Sequence, residues 1–287
     1  MSALTEAYSL LKQCRVCPRR CGVDRAAGQK GFCGAADSLR VASAMPHFGE
    51  ESPLVGRHGS GTIFLSGCNL GCIFCQNWEI SHGREGKEIT VDEMVDLMLG
   101  LAAPGAAAAC HNVNFVTPTH FAPQLMDSIE KARARGLTVP IVYNCGGYEP
   151  LEMLQLLDGC IEIYMPDAKY WDSAVAGELS AAPDYAEVMR DALKEMHRQV
   201  GDLVIEGGIA TRGLLVRHLV LPGNLSGSMD VVEFIAREIS PHTYINIMDQ
   251  YRPCGKADRH PVLSKFPDMK FIQQVRQHAR ELGLRVD

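Results

Sequence analysis

The segment TIFLSGCNLGCIFCQNWEISHG holds Cys68, Cys72 and Cys75 directly after a β-rich run, at the spacing C-x3-C-x2-C. Thiolates this close in sequence can converge on one metal centre without long excursions of the chain. Three ligands leave one iron of a four-iron cluster without a protein ligand, and a cofactor or substrate can bind metal there directly. Gly67 and Gly71 give the loop the backbone freedom to wrap a cluster. Zinc or three unrelated buried thiols are the competing readings, but structural zinc takes four protein ligands, and no fourth cysteine or histidine lies at a suitable short spacing.

A second set of thiols stands upstream. Cys14, Cys17, Cys21 and Cys33 follow C-x2-C-x3-C-x11-C, with Pro18 and several glycines bending the chain between them. Four such cysteines predict a second metal site, either zinc or an iron–sulfur cluster, and the spacing does not choose between the two.

Further candidates follow the later β-rich runs. Thr117 and Thr119 come after the second, where their hydroxyls could face a ligand or cap the next helix. Asn144 ends the third run, and Met165, Asp167 and Lys169 span the end of the fourth. Asp167 and Lys169 read as a ligand-holding pair or as an exposed ion pair. Arg217 sits in an otherwise apolar fifth run and therefore needs an anionic partner, from a ligand or from a core carboxylate. Its neighbour His218 should face the opposite side and pack against a helix. Tyr251 and Cys254 follow the sixth run and could donate or relay a hydrogen atom, with a packed ring and a spare thiol as the plainer reading. Cys110 and Cys160 lie near strand starts, where core packing is expected.

The triad spacing, with Phe74 just before its third cysteine, resembles the signature of the radical S-adenosylmethionine (SAM) superfamily. The stretches GSGTIFLSGCNLGCIFCQN, NFVTPTH, PIVYN, RHLVLPG and QYRP look most like its pyruvate formate-lyase activating enzyme branch, and within it a PflX-like group. That resemblance implies a [4Fe-4S] cluster on Cys68, Cys72 and Cys75 that cleaves SAM reductively, so that a 5′-deoxyadenosyl radical takes a hydrogen atom from a substrate. It implies a SAM and monovalent-cation site at Asn144, Met165, Asp167 and Lys169, although Asn144 replaces the leading Asp of the activating enzymes. Thr117 and Thr119 occupy the position of the Gly-Gly-Glu segment that holds the SAM amino group in many members. The SAM carboxylate becomes a candidate partner for Arg217. Flavodoxin or ferredoxin would supply electrons, and a glycyl-radical-type protein would be a substrate. The activating enzyme proper lacks the N-terminal cysteines.

These residues need a scaffold that gathers strand ends. Six β-rich runs (Thr62–Ser66, Asn112–Thr117, Val139–Asn144, Ile161–Met165, Leu214–Val220 and Thr243–Met248) lack the polar alternation of a half-exposed sheet. Helical patterns follow them near Val91–Ala103, Ala122–Arg135, Pro150–Leu157, Tyr185–Val200, Met229–Ile239 and Asp268–Leu282, with Thr90 and Glu93 placed as a capping box. This predicts an α/β fold, a partial (β/α)6 barrel over residues 51–287, with ligands at the carboxyl ends of its strands. Residues 1–50 form a separate Cys-rich metal-binding extension with a short strand at Leu39–Ala44.

The chain has 287 residues, 46% hydrophobic and 22% charged, which suits a large globular core. A formal net charge of -6 does not favour nucleic acid. The N-terminus lacks a secretory pattern, and the most apolar stretch, around residues 94–110, is too short and broken to span a bilayer. Eleven cysteines without an export signal point to a reducing cytoplasm. Two alternatives stand beside hydrogen abstraction from a protein. One is the same chemistry on a small metabolite. The other is a metal-stapled RNA- or protein-binding module, for which Arg15, Arg19, Arg20 and Arg25 give slight support.

Overall fold

Short runs of Val, Ile, Phe and Tyr that are apolar on both faces become strands only where both faces are covered, as in a parallel sheet wrapped by helices. A computed structural model of the chain describes residues 2–103 and 109–287. Its strands are β1 (Leu39–His47), β2 (Ser60–Leu65), β3 (Lys87–Ile89), β4 (Val113–Val116), β5 (Ile141–Cys145), β6 (Ile163–Pro166), β7 (Val204–Glu206), β8 (Ile209–Leu219), β9 (Tyr244–Met248) and β10 (Arg285–Val286). They join in the order β10-β9-β8-β6-β5-β4-β2-β1-β3, with β7 hairpinned onto β8. The six expected strands β2, β4, β5, β6, β8 and β9 pair in parallel throughout. The architecture is the expected partial α/β barrel.

Alternation along the strands makes two cores. Outward residues such as Ile63, Phe115, Tyr143, Tyr164 and Val216 pack under the helices. Inward residues Val142, Ile163, Met165, Leu215 and Tyr244 form a separate cluster with Leu54. Leu54 belongs to a single helical turn, Ser52–Val55, which plugs the barrel interior.

The capping box closes as expected. The Thr90 Oγ1 accepts from the Glu93 N–H at 3.1 Å, and Glu93 accepts from the Thr90 N–H at 2.7 Å. The helix expected to end at Ile239 is α-helical over Ser228–Phe234 and widens to a π-turn over Ile235–Ile239.

Two features were not anticipated. β8 begins at Ile209, five residues before Leu214, because Gly207 and Gly208 both take positive φ and turn β7 back onto it. And β1 runs on to His47 and pairs antiparallel with β2, so part of the segment assigned to the N-terminal extension belongs to the barrel sheet. Among the described residues, no helix is long and apolar enough to cross a membrane.

Candidate active site

The loop after β2 carries the cysteine triad. Gly67 starts it at φ +86, a left-handed conformation that suits glycine, and a Cβ there would fall 2.5 Å from the Cys33 carbonyl oxygen. The Leu70 N–H donates to Cys68 Sγ at 3.3 Å, the Ser180 hydroxyl donates to Cys72 Sγ at 2.8 Å, and Cys75 Sγ meets Ser81 Oγ at 3.1 Å. Burial pushes the Cys68 and Cys72 thiols up, and neighbouring sulfurs push further, while the Lys169 ammonium pulls both down.

These observations test whether the loop suits a cluster. Three sulfurs that repel one another as anions, each given a hydrogen-bond partner and two of them, Cys68 and Cys72, near Lys169, need metal charge to be thiolates together. The donor set fits an iron–sulfur cluster with one iron left open. Among the described residues no three His, Cys, Asp or Glu side chains close around a single metal ion. Cluster ligands each take a different iron and need not converge so tightly.

Strand ends β5, β6 and β8 bring Asn144, Asp167, Lys169 and Arg217 together beside this loop. Asp167 pairs with Lys169 Nζ at 2.5 Å and with Arg217 Nε at 2.8 Å. Burial alone would raise the Asp167 pKa, but Arg217 and Lys169 outweigh it and hold the carboxyl below its usual range. Arg217 also donates to Asn144 Oδ1 at 2.6 Å and lies 3.8 Å from Glu50. Its partners among the described residues are thus two carboxylates and an amide. The Asp167–Lys169 pair is mostly buried rather than exposed on a loop. Met165 is wholly buried beneath it in the interior cluster.

His218 faces the other way, as its register requires, and is fully buried. Its Nδ1–H donates to the Ala168 carbonyl at 2.6 Å, and Nε2 accepts from the Ser228 hydroxyl at 2.9 Å. Burial lowers its pKa to about 4, so the ring is neutral and braces the backbone between Asp167 and Lys169.

The remaining candidates are placed differently. Thr117 takes φ +61 at the end of β4, and its N–H donates to the Asn144 carbonyl at 2.8 Å. Thr119 turns away from the triad and donates to buried Glu149 at 2.6 Å. Tyr251 is buried with its hydroxyl donated to the Leu263 carbonyl at 2.6 Å and its ring 6.1 Å from that of Phe74. Cys254 is half-buried on the same loop, which docks on the triad segment through the Lys256 N–H to the Ile73 carbonyl at 2.7 Å. Cys110 is buried, whereas Cys160 is only partly so.

Upstream, Cys14, Cys17 and Cys33 are buried and Cys21 half-buried. Burial raises the Cys17 and Cys33 thiols, and the other cysteines of the set repel the thiolates further. Sequence reasoning missed Glu50, Ser180 and Glu149. Glu50 and Ser180 lie far along the chain from what they touch and carry no local signal. Glu149 stands four residues past the end of β5, a position that the strand-end rule could have flagged.

A βα barrel with a three-thiol loop at the carboxyl end of its first parallel strand, facing a buried Asp–Lys–Arg network, defines a metallocofactor enzyme. Residues 62–235 match the radical SAM superfamily, and the chain belongs to it. It is therefore a radical SAM enzyme, and the family implies a [4Fe-4S] cluster and SAM. The chain is 29% identical over 288 residues to the uncharacterized protein MJ0674 of Methanocaldococcus jannaschii, covering 97% of this chain and 77% of that one. Among solved structures it resembles HydG, a maturase of the [FeFe]-hydrogenase, with TM-score 0.50 and 12% identity over 78% of this chain and 49% of that one. It also resembles a domain of a pyruvate-formate lyase-activating enzyme from Bacteroides vulgatus, with TM-score 0.44 and 15% identity over 61% of this chain and 96% of that one.

Proposed function

We propose that this enzyme cleaves SAM reductively and uses the resulting radical to take a hydrogen atom from a glycyl-type site on a partner protein. The carrying observation is the set of three thiols on one loop, with Lys169 near Cys68 and Cys72; three thiolate ligands would leave one iron of a four-iron cluster open. When bound, the cluster supplies one electron and an open iron for SAM.

The chain's own residues orient and hold. Lys169 favours the thiolates of Cys68 and Cys72. Arg217 fixes Asp167 and Asn144 at the barrel mouth, and His218 holds the Ala168 carbonyl between the two charged side chains. Together with Met165 and the Thr117 turn, this frame forms the SAM site of the proposal. Asp167 already faces two side-chain cations, so a monovalent cation is not part of it. Of the two hydrogen-relay candidates, Cys254 has the freer group, since the Tyr251 hydroxyl is engaged.

The barrel interior is filled from below by Leu54, Val142, Ile163, Met165 and Leu215. That favours a substrate presented from outside, as a protein segment would be. Cys14, Cys17, Cys21 and Cys33 hold a second centre, zinc or iron–sulfur, and a flavodoxin or ferredoxin donates the electron. Membership of the PflX-like group rests on the sequence stretches named above.

The test is anaerobic reconstitution followed by reduction with dithionite. Methionine and 5′-deoxyadenosine should accumulate slowly without substrate, and neither should form when Cys68, Cys72 and Cys75 are all changed to Ala. Deuterium should enter 5′-deoxyadenosine from protein labelled with deuterated glycine and not from the filtered small-molecule fraction. Label arriving only from that fraction assigns a metabolite substrate, and a loaded, reduced enzyme that never yields 5′-deoxyadenosine overturns the chemistry.

A further inference from the structure

The helix Ser173–Ser180 ends against the triad loop. Its last two carbonyls take the N–H groups on either side of Cys72: Leu179 accepts from Ile73 at 2.9 Å and Ser180 from Gly71 at 3.0 Å. The next residue, Ala181, holds a left-handed φ of +52 without being glycine, and Arg19 donates to the carbonyls of both Ser180 and Ala181. A helix end fixed at this many points places its last side chain closely.

That side chain is the Ser180 hydroxyl, which is fully buried and donates to Cys72 Sγ at 2.8 Å. Tyr170, also fully buried, brings its hydroxyl to Ser180 Oγ at 2.7 Å. Each hydroxyl has one proton. A metal-bound sulfur has none and can only accept, so the chain then runs one way, from Tyr170 to Ser180 and from Ser180 to Cys72. Away from water, each bond in such a chain polarises the next. Cys75 is served differently. Ser81 Oγ also meets the Asn77 carbonyl at 2.8 Å and His82 Nδ1 at 2.9 Å, so its one proton is not committed to sulfur.

We propose that the Tyr170–Ser180 hydroxyl chain raises the reduction potential of the triad cluster through Cys72 Sγ. The proposal rests on the reading of Cys68, Cys72 and Cys75 as cluster ligands. Tyr170 and Ser180 are positioning residues and act through the sulfur. One-electron reduction adds negative charge that the sulfurs share, and a hydrogen-bond donor favours the more negative state. The chain therefore eases uptake of the electron that SAM cleavage needs.

The experiment is a potentiometric titration of the full-length chain, reconstituted with iron and sulfide without oxygen and reduced by dithionite through viologen mediators. The paramagnetic signal of the reduced cluster is followed at low temperature. The triad's signal is the one missing from a chain carrying Cys68→Ala, Cys72→Ala and Cys75→Ala. Ser180→Ala should lower the midpoint. At a fixed potential its reduced-to-oxidised ratio should fall about tenfold, which is 59 mV for a one-electron couple. Tyr170→Phe should shift the midpoint the same way by less. Adding Tyr170→Phe to Ser180→Ala should change nothing further, because the tyrosine acts only through the serine.

A loss of packing alone would lower the melting temperature or the iron content and leave the midpoint of the clusters that do form where it was. That result overturns the proposal, as does a midpoint that rises. A Ser180→Ala chain that holds no iron leaves the decision to Tyr170→Phe, which keeps the Ser180 contact to sulfur. A midpoint equal to the parent's then overturns the proposal, and a lowered one supports it. If the parent shows no triad-dependent signal, the cluster reading fails and the proposal fails with it.

Discussion

Glu149 is 2% exposed, and among the described residues no ion pair is formed with it. Burial raises its pKa from 4.5 to about 8, only partly offset by hydrogen bonds from Thr119, Tyr143 and Cys145. Because the folded value lies above the unfolded one, folding favours the protonated carboxyl. That stabilisation is complete below about pH 4.5 and is lost as pH rises toward 8. Glu149→Gln should therefore flatten the profile. Relative to the variant, the parent should lose roughly 4 kcal/mol between pH 5 and 8.5 in urea melts. Parallel pH dependence in the two proteins would show that Glu149 is ionised at neutral pH.

The loop after β2 depends on one close approach. At Gly67 a side chain would meet the Cys33 carbonyl at 2.5 Å, whereas Gly136, also at positive φ (+95), has nothing within 4 Å of its would-be Cβ. Gly136→Ala should cost about 1 kcal/mol of backbone strain, and Gly67→Ala several kcal/mol, because backbone must move. Thermal melts give the difference. Iron at the triad should drop in Gly67→Ala and stay normal in Gly136→Ala, and equal iron in both would mean that this contact does not shape the loop.

Cys14, Val16 and Cys33 lie in the same buried core as the outward faces of β2, β4 and β5, so the upstream segment is packed into the barrel. Arg19 strengthens the join by donating to the Asn69 carbonyl at 2.8 Å inside the triad loop. If the upstream cysteines hold a metal as proposed, its removal should loosen more than the first 50 residues. Hydrogen exchange after chelation should quicken across 66–71 as well, and quickening confined to 1–50 would mean that the two parts open independently.

Read alone, the sequence determined what depends on near neighbours. The six parallel strands, the Thr90–Glu93 cap, the triad at a strand end and the opposite facing of Arg217 and His218 follow from periodicity and short spacing, which act within a few residues. Tertiary structure decided the partners. Arg217 meets Asp167 across 50 positions, and Asn246 meets Glu51 across 195. Arg25 reaches the His120 carbonyl across 95, and the Ser180 hydroxyl finds Cys72 across 108. No local pattern encodes such pairs, because each is set by which strand ends and loops the closed sheet brings side by side. A charge in the sequence announces that it needs a partner once buried, but only the folded barrel says which one it has.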